Sequence, residues 1–404
     1  MHHTQSLLRI AFITTVDRNP GDAFIRAGIE YLIQQHIPYY RGIYVDKHEY
    51  LGAPTQGGGG SLFASMGRLL GKGEQGTEDP FLSADLVVQA GTPFYYIVPD
   101  ADGAYESFSS SLTTGWIGEV WLKRLFCLSS PPPLLNLAVG TCQPFFSDAL
   151  EFEHSPALLD FIRRTVDLSR LTTVREKVAE RLLERCGLQT HCLPCTAIFA
   201  ADCHRIYPEK PRFVCLNYME GGAHYNLGQK IDSDGWQRAF QEIHRLLSGQ
   251  YPVVVMCHSP GEVLKVRSLL PDADTFFSPN YEDYLHMYAK ARFGVVNRAH
   301  SAMVLAGLGR PAVVVGNDTR VRMAELMELP VTFVNEATTD RIIAWCTDFA
   351  ARPDAWRERL CAIKVASREK YLQLLGACLE DIVENVQGGE GYLRSDSTKT
   401  VHRR

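Results

Sequence analysis

The chain has 404 residues, a length that suits two domains better than one core, and 46% of them are apolar, as in ordinary globular proteins. Lysine and arginine number 41 against 46 aspartates and glutamates, so a formal net charge of -5 offers no basic field for nucleic acid or an anionic membrane surface. No run approaches the ~20 apolar residues of a membrane span, no cleavable leader precedes the first strand, and an odd total of 11 cysteines set mostly in apolar runs reads as reduced, buried thiols; a cytoplasmic location is expected.

Residues 8–15 read as a buried strand and 23–34 as a helix with one apolar face. Asn19-Pro20-Gly21-Asp22 joins them; Gly21 allows close backbone approach and Asp22 suits a helix cap. Residues 52–80 are glycine-rich and poor in apolar side chains, the composition of a mobile connection. The GRLLGKG run at 67–73 is not a phosphate loop: its spacing is one residue short, no Ser or Thr follows Lys72, and no strand precedes it. A strand at 84–89 ends in Gly91-Thr92, and Phe94, Tyr95 and Tyr96 then suit either a sugar-stacking platform or the core. A strand at 134–139 leads to Gly140-Thr141 at the same sheet edge. After a helix at 156–166, a strand at 171–174 runs into Arg175-Glu176 and a helix at 177–186. Arg175 at a strand end suits a phosphate or carboxylate, with an ion pair to Glu176 as the alternative. His191, Cys192, Cys195, Cys203 and His204 have ligand-like spacing but lack the second, separated pair of a structural zinc site, so they read as packing and no metal is expected.

A second domain opens near residue 211, with a strand at 213–217, a helix at 236–247 and a strand at 251–256 ending in Cys257-His258. Ser259-Pro260-Gly261-Glu262 marks the next helix start, followed by a strand at 274–277 and a helix at 281–289. A strand at 293–296, a helix at 301–308 closed by Gly309 and a strand at 311–315 form a β-α-β unit. The strand ends at Asn217, His258, Ser278 and Arg298 therefore share the edge where open α/β sheets bind ligands. Asn297, Arg298, His300 and Ser301 stand there at the amino end of a buried helix, whose N–H groups, with a guanidinium and an imidazole, make a pocket for a phosphate or carboxylate. The alternative pairs Arg298 with a carboxylate and leaves His300 as a cap. Helices at 320–327 and 339–350, a strand at 331–334, and a long helix at 356–386 complete the pattern. The fold class is α/β, with two doubly wound Rossmann-like domains facing a cleft: residues 1–207, residues 208–350, a helix within 351–387 packing across both, and a disordered tail at 388–404. No dinucleotide-binding G-x-G-x-x-G follows any strand.

The stretch NRAHSAMVLAGLGRPAVVV resembles the polysaccharide pyruvyl transferase family, whose members carry a buried strand ending in R-x-H, a small-residue helix, G-x-P and a further strand. The N-x-G-D turn at Asn19 to Asp22, the glycine turn at Gly91, Arg175 where the family has Arg-Asp, and Pro194-Cys195 extend the resemblance over most of residues 8–335. It implies a GT-B-like architecture and transfer of the pyruvyl group of phosphoenolpyruvate to two hydroxyls of a saccharide, free or lipid-linked, forming a ketal in cell-surface or exopolysaccharide synthesis. Phosphoenolpyruvate is then a co-substrate and no cofactor is implied. Matched to that chemistry, Arg298, Arg175, Asn297 and Ser301 grip the donor, and His300 is the acid that protonates its methylene carbon. Asp22, either the cap or the base, takes the sugar hydroxyl proton, with His258 as the other candidate. Asn19, Gly21, Gly91, Thr92, Asn217 and His258 line the acceptor side or the cleft. Two other readings stand beside this one. A nucleotide-sugar transferase would place Glu282 or Asp283 on the ribose, and a non-catalytic sugar-binding relative would have a blocked or uncharged cleft. Glu176 for the usual Asp, Cys195 where an Asp is frequent, and the 52–80 loop depart from the family, so acceptor identity stays open, as does the oligomeric state.

Overall fold

The computed structural model describes residues 7–16, 19–47, 80–91, 93–97, 123–126 and 128–387. The glycine-rich run from 52 to 79, Thr92 and the 388–404 tail lie outside the described residues. The first sheet contains β1 (Leu8–Thr14), β2 (Tyr40–Asp46), β3 (Leu86–Ala90), β4 (Pro93–Tyr95), β5 (Leu134–Thr141), β6 (Ser169–Val174) and β7 (His191–Cys192). The second contains β8 (Phe213–Leu216), β9 (Val253–Met256), β10 (Thr275–Phe276), β11 (Ala291–Val296), β12 (Ala312–Gly316) and β13 (Val331–Phe333). Their orders are β2-β1-β3-β5-β6-β7, with β4 on β5, and β10-β9-β8-β11-β12-β13, and every pairing within them is parallel. Each order reverses once, between β1 and β3 and between β8 and β11. Those switch points are where crevices open in doubly wound sheets.

The helices that cover the sheets are α1 (Pro20–Gln34), α2 (Pro156–Leu168), α3 (Lys177–Arg185), α4 (Ser233–Ser248), α5 (Pro260–Leu269), α6 (Tyr281–Ala289), α7 (Ala299–Gly307), α8 (Thr339–Ala351) and α9 (Pro353–Gln387). Because both sheet faces are covered, the strands are near-continuous apolar runs: Ile10 and Phe12 enter one core, Ala11 and Ile13 another. The edge strand β2 was not expected. Tyr40, Arg41 and Tyr44 keep part of their surface in water, so its sequence lacks a buried strand's signature. Phe94 and Tyr95 lie in the core, which removes them as a stacking platform. Within β5 the ladder shifts register around Ala138, whose φ of 51° marks a bulge that turns Gly140 and Thr141 toward the second half.

The two halves share one core, in which Phe24, Ile198, Tyr288, Met303 and Leu375 are contiguous. At its centre α1 and α7 both press on the short 3-10 segment Thr196–Phe199. A Cβ on Gly28 would lie 1.8 Å from the Thr196 carbonyl oxygen, and one on Gly307 would lie 2.0 Å from that of Ile198. Only glycine lets both helices approach so closely. α9 then reaches both halves, through Tyr371 Oη on the Pro194 carbonyl and Lys364 Nζ on the Gly307 carbonyl. Among the described residues no helix is long and apolar enough to cross a membrane.

Gly307→Ala should lower stability by about 1–3 kcal/mol, the usual range for overpacking. Gly261→Ala, whose methyl meets nothing nearer than Ser259 Oγ at 3.8 Å, should be neutral or slightly stabilising in its helix. Urea midpoints of the two variants against the parent protein check this; equal midpoints would refute the close approach.

Candidate active site

The amino ends of α1 and α7 meet where the sheets' carboxyl edges face each other. Asn19 caps α1, its Oδ1 accepting from the Gly21 N–H at 3.0 Å, so Asp22 is not the cap that its residue type suggests. Asp22 lies in the first turn, buried, and its Oδ2 accepts from Thr15 Oγ1 and from Lys47 Nζ at 2.7 Å. Burial pushes its carboxyl up, but the Lys47 charge and the two hydrogen bonds outweigh it and hold the group at about 2. Asp22 is thus a fixed anion and a weak base. A Cβ on Gly21 would fall 2.7 Å from His300 Nδ1, so the glycine is what lets the imidazole rest on the backbone of α1.

His300 stands in the first turn of α7, and its Nε2 lies 3.2 Å from Nη1 of Arg175, which reaches over from the end of β6. A guanidinium only donates, so Nε2 accepts and the imidazole proton sits on Nδ1. Burial pushes His300 down to about 3, with Arg175, Arg320 and Lys47 adding and Asp22 opposing. His300 is therefore neutral here, and the expected near-neutral acid needs added negative charge to form. Arg175 is fully buried, and its Nε and Nη2 have no hydrogen-bond acceptor.

Arg298 occupies the cap position of α7 without a side-chain cap bond. Its guanidinium pairs with Glu262 and lies 2.7 Å from His224 Nε2, the ion-paired alternative seen in the sequence. Burial, then Arg298 and Arg320, push His224 down to about 4. Asn297 and Asn217 are braces and not ligand contacts: Asn297 accepts from the Met219 N–H and donates to the Val315 carbonyl, while Asn217 accepts from the Arg298 N–H and donates to the Met256 carbonyl. Ser301 Oγ is taken by Tyr288 Oη at 2.7 Å, and His258 Nε2 joins the same pair at 3.1 and 3.3 Å. Burial pushes His258 well below its ordinary value, so neither it nor Ser301 is free for the expected role. Gly91 packs against Ile25, since a Cβ there would be 2.4 Å from Ile25 Cγ2. Asp283 accepts from Ser278 Oγ, and Glu282 lies 3.7 Å from His204, which leaves neither as a ribose anchor. Cys195 is buried, His191 exposed, and among the described residues no three His, Cys, Asp or Glu side chains form a metal-binding group.

Three cleft residues escaped the sequence reading. Lys47 directly follows β2, the strand that was not expected. Arg320, bidentate on Asp318 at 2.9 and 2.6 Å, reads in the sequence only as the first residue of a helix, although it follows β12 by four residues and lies in the first turn of a 3-10 segment. His224 lies in the loop after β8, whose end was recognised but whose length was not. Position after a strand's carboxyl end would have flagged all three.

Two doubly wound sheets joined through their carboxyl edges define the GT-B-like class. A Listeria monocytogenes structure assigned as a UDP-N-acetylglucosamine 2-epimerase shares this fold, with a TM-score of 0.50 at 12% identity over 88% of this chain and 91% of that one. The Neisseria meningitidis UDP-GlcNAc 2-epimerase bound to UDP-GlcNAc aligns with a TM-score of 0.47 at 11% identity over 92% and 99%, and the E. coli heptosyltransferase with ADP at 0.42 and 12% over 84% and 99%. The sequence matches polysaccharide pyruvyl transferase over residues 11–319, and the chain belongs to that family. No curated protein matches it by sequence.

Lys47→Met should cost about 3 kcal/mol at neutral pH, because it strands a buried carboxylate. The lowered value of Asp22 contributes stability in full above 3.8 and loses it as pH falls toward 2. The difference between variant and parent should therefore shrink over that window in acid-side urea titrations; a pH-independent difference would contradict the pairing.

Proposed function

We propose that the protein transfers the pyruvyl group of phosphoenolpyruvate to two hydroxyls of a saccharide destined for a cell-surface or exopolysaccharide, forming a cyclic ketal and releasing phosphate. The observation that carries this reading is the meeting of Arg175 and His300 from opposite halves, at two helix amino ends, with two buried Arg175 donors unpartnered. A donor bearing a phosphate and a carboxylate suits that concentration of cations at two helix amino ends, with Arg298, Arg320 and Lys47 close by. Family membership supports the same chemistry.

The electrostatics of His300 suggest an order of events. Its value is depressed by burial and by cations, so the donor's negative charges oppose the second cause and bring a proton onto the ring. The imidazolium then gives that proton to the methylene carbon as the first sugar hydroxyl bonds to the adjacent carbon. The neutral ring takes the hydroxyl's proton, which the weak base Asp22 is poorly suited to do. The second hydroxyl bonds to the same carbon as the carbon–oxygen bond to phosphate breaks, and its proton leaves with the phosphate. A nucleotide-sugar reading has no specific support here, because Glu282 and Asp283 are engaged elsewhere.

Calorimetric titration should show phosphoenolpyruvate binding, with UDP and GDP silent. Arg298→Ala should weaken that binding at least tenfold, since a charge-assisted contact is worth about 1.5–3 kcal/mol. His300→Gln should retain binding and lose turnover. Binding of a nucleoside diphosphate in place of phosphoenolpyruvate would overturn the proposal.

A further inference from the structure

Beside the Arg175–His300 contact the two halves are joined by a second run of hydrogen bonds whose direction is fixed. The Gln143 N–H donates to Thr319 Oγ1 at 3.0 Å, the Thr319 and Thr141 hydroxyls meet at 2.8 Å, and Thr141 Oγ1 donates to Glu176 Oε1 at 2.9 Å. Thr141 has one hydroxyl proton and gives it to Glu176, so the proton between the hydroxyls belongs to Thr319. The Thr141 N–H donates to the same Glu176 oxygen at 2.5 Å, and the Thr319 N–H returns to the Gln143 carbonyl at 2.9 Å. All four residues are buried. The run ends on a carboxylate whose other oxygen, Oε2, has no hydrogen-bond partner and stands 3.9 Å from Arg175 Nε. Both groups pack over Gly140, where a Cβ would fall 2.4 Å from Oε2 and 2.8 Å from Nε.

A buried carboxylate with one bare oxygen is a poor stabilising element, since an unsatisfied charge in the interior is expensive. Burial pushes Glu176 up to about 7, against Arg175, the two Thr141 bonds and the more distant Arg322. The other titratable groups facing it are Tyr95 and the thiols of Cys142, Cys192 and Cys195, all pushed up by burial and neutral. Arg175 is thus the nearest charge that can answer Glu176, and Arg175 is the group that holds His300.

We infer that Glu176 is a positioning residue of this site: its ionised carboxylate, anchored by Thr141 and through it by Thr319 of the opposite half, aims the Arg175 guanidinium at His300 and the donor, at a cost to stability. The inference rests on the pyruvyl-transfer reading only for the identity of that donor. Glu176→Gln keeps an oxygen for Thr141 and sets an amide against Arg175, whereas Glu176→Asp keeps the charge. Removing a negative charge would by itself tighten an anion. Positioning predicts the opposite, a phosphoenolpyruvate Kd raised about tenfold or more in the Gln variant and largely restored in the Asp variant. Stability provides a readout without ligand. With the folded value raised from 4.5 to about 7, Glu176 loses stability relative to Gln as pH rises through that window, and the margin is constant above it. The Tm of the Gln variant should therefore gain on the parent between those pH values. Unchanged or tighter binding in the Gln variant, a Tm margin flat with pH, or a Gln variant that fails to fold would each overturn the inference. Should the parent itself bind no phosphoenolpyruvate, the pyruvyl-transfer reading falls, and the Tm margin alone still decides for or against a costly ionised Glu176.

Discussion

The close approach of two helix backbones to one short segment sets the rest of this structure. Gly28 of α1 and Gly307 of α7 contact the carbonyls of Thr196 and Ile198, so 196–199 packs against one helix from each half. That contact fixes where the helices begin. Their amino ends come together at Gly21 and His300, so the positive ends of two helix dipoles converge there. The site is thus a consequence of core packing beneath it.

Concentrating positive charge at one point has to be offset, and each nearby cation has its own carboxylate. Lys47 sits on Asp22, Arg298 on Glu262, Arg320 on Asp318, and these pairs lie at short hydrogen-bonding range. Arg175 differs, because Glu176 stands 3.9 Å away and makes no hydrogen bond to it. Its Nη1 meets His300 of the other half, so the least compensated charge lies beside the imidazole. This arrangement adds to burial in lowering His300: a desolvated ring that accepts from a buried guanidinium is stabilised in its neutral form.

Much of the fold was legible because buried parallel strands are continuous apolar runs and their ends are marked by polar or glycine residues. The β-α-β unit around Arg298 and the helix closed by Gly309 followed from that pattern, as did the shared edge of β8 to β11. β2 did not, because an edge strand with half-solvated tyrosines carries no such signal, and Lys47 was lost with it. At the site, residue type was a weaker guide than position. Asn217, Asn297 and Ser301 have the chemistry of ligand contacts, yet both amide ends of each Asn and the Ser hydroxyl are used to hold loops and α6 in place. Hydrogen bonds to residues 13 to 81 positions away cannot be read from one sequence, and they decide which polar side chain remains for a ligand.

The spacing in R-x-H has a geometric meaning. Arg298 occupies the cap of α7 and His300 the second helical residue, about 200° further round the helix at 3.6 residues per turn. Their side chains accordingly part: Arg298 turns back to Glu262 and His224 in its own half, while His300 crosses to Gly21 and Arg175 in the other. One helix end thus serves both walls of the cleft. A shift of one residue would place the methyl group of Ala299 where a charge is needed, and it would turn the imidazole away from Gly21. The buried small-residue body of α7 enforces the register, since Gly307 must meet Ile198 at the far end of the same helix. The distance from His300 to Gly307, seven residues or about two turns, ties the position of the imidazole to a close backbone contact in the core.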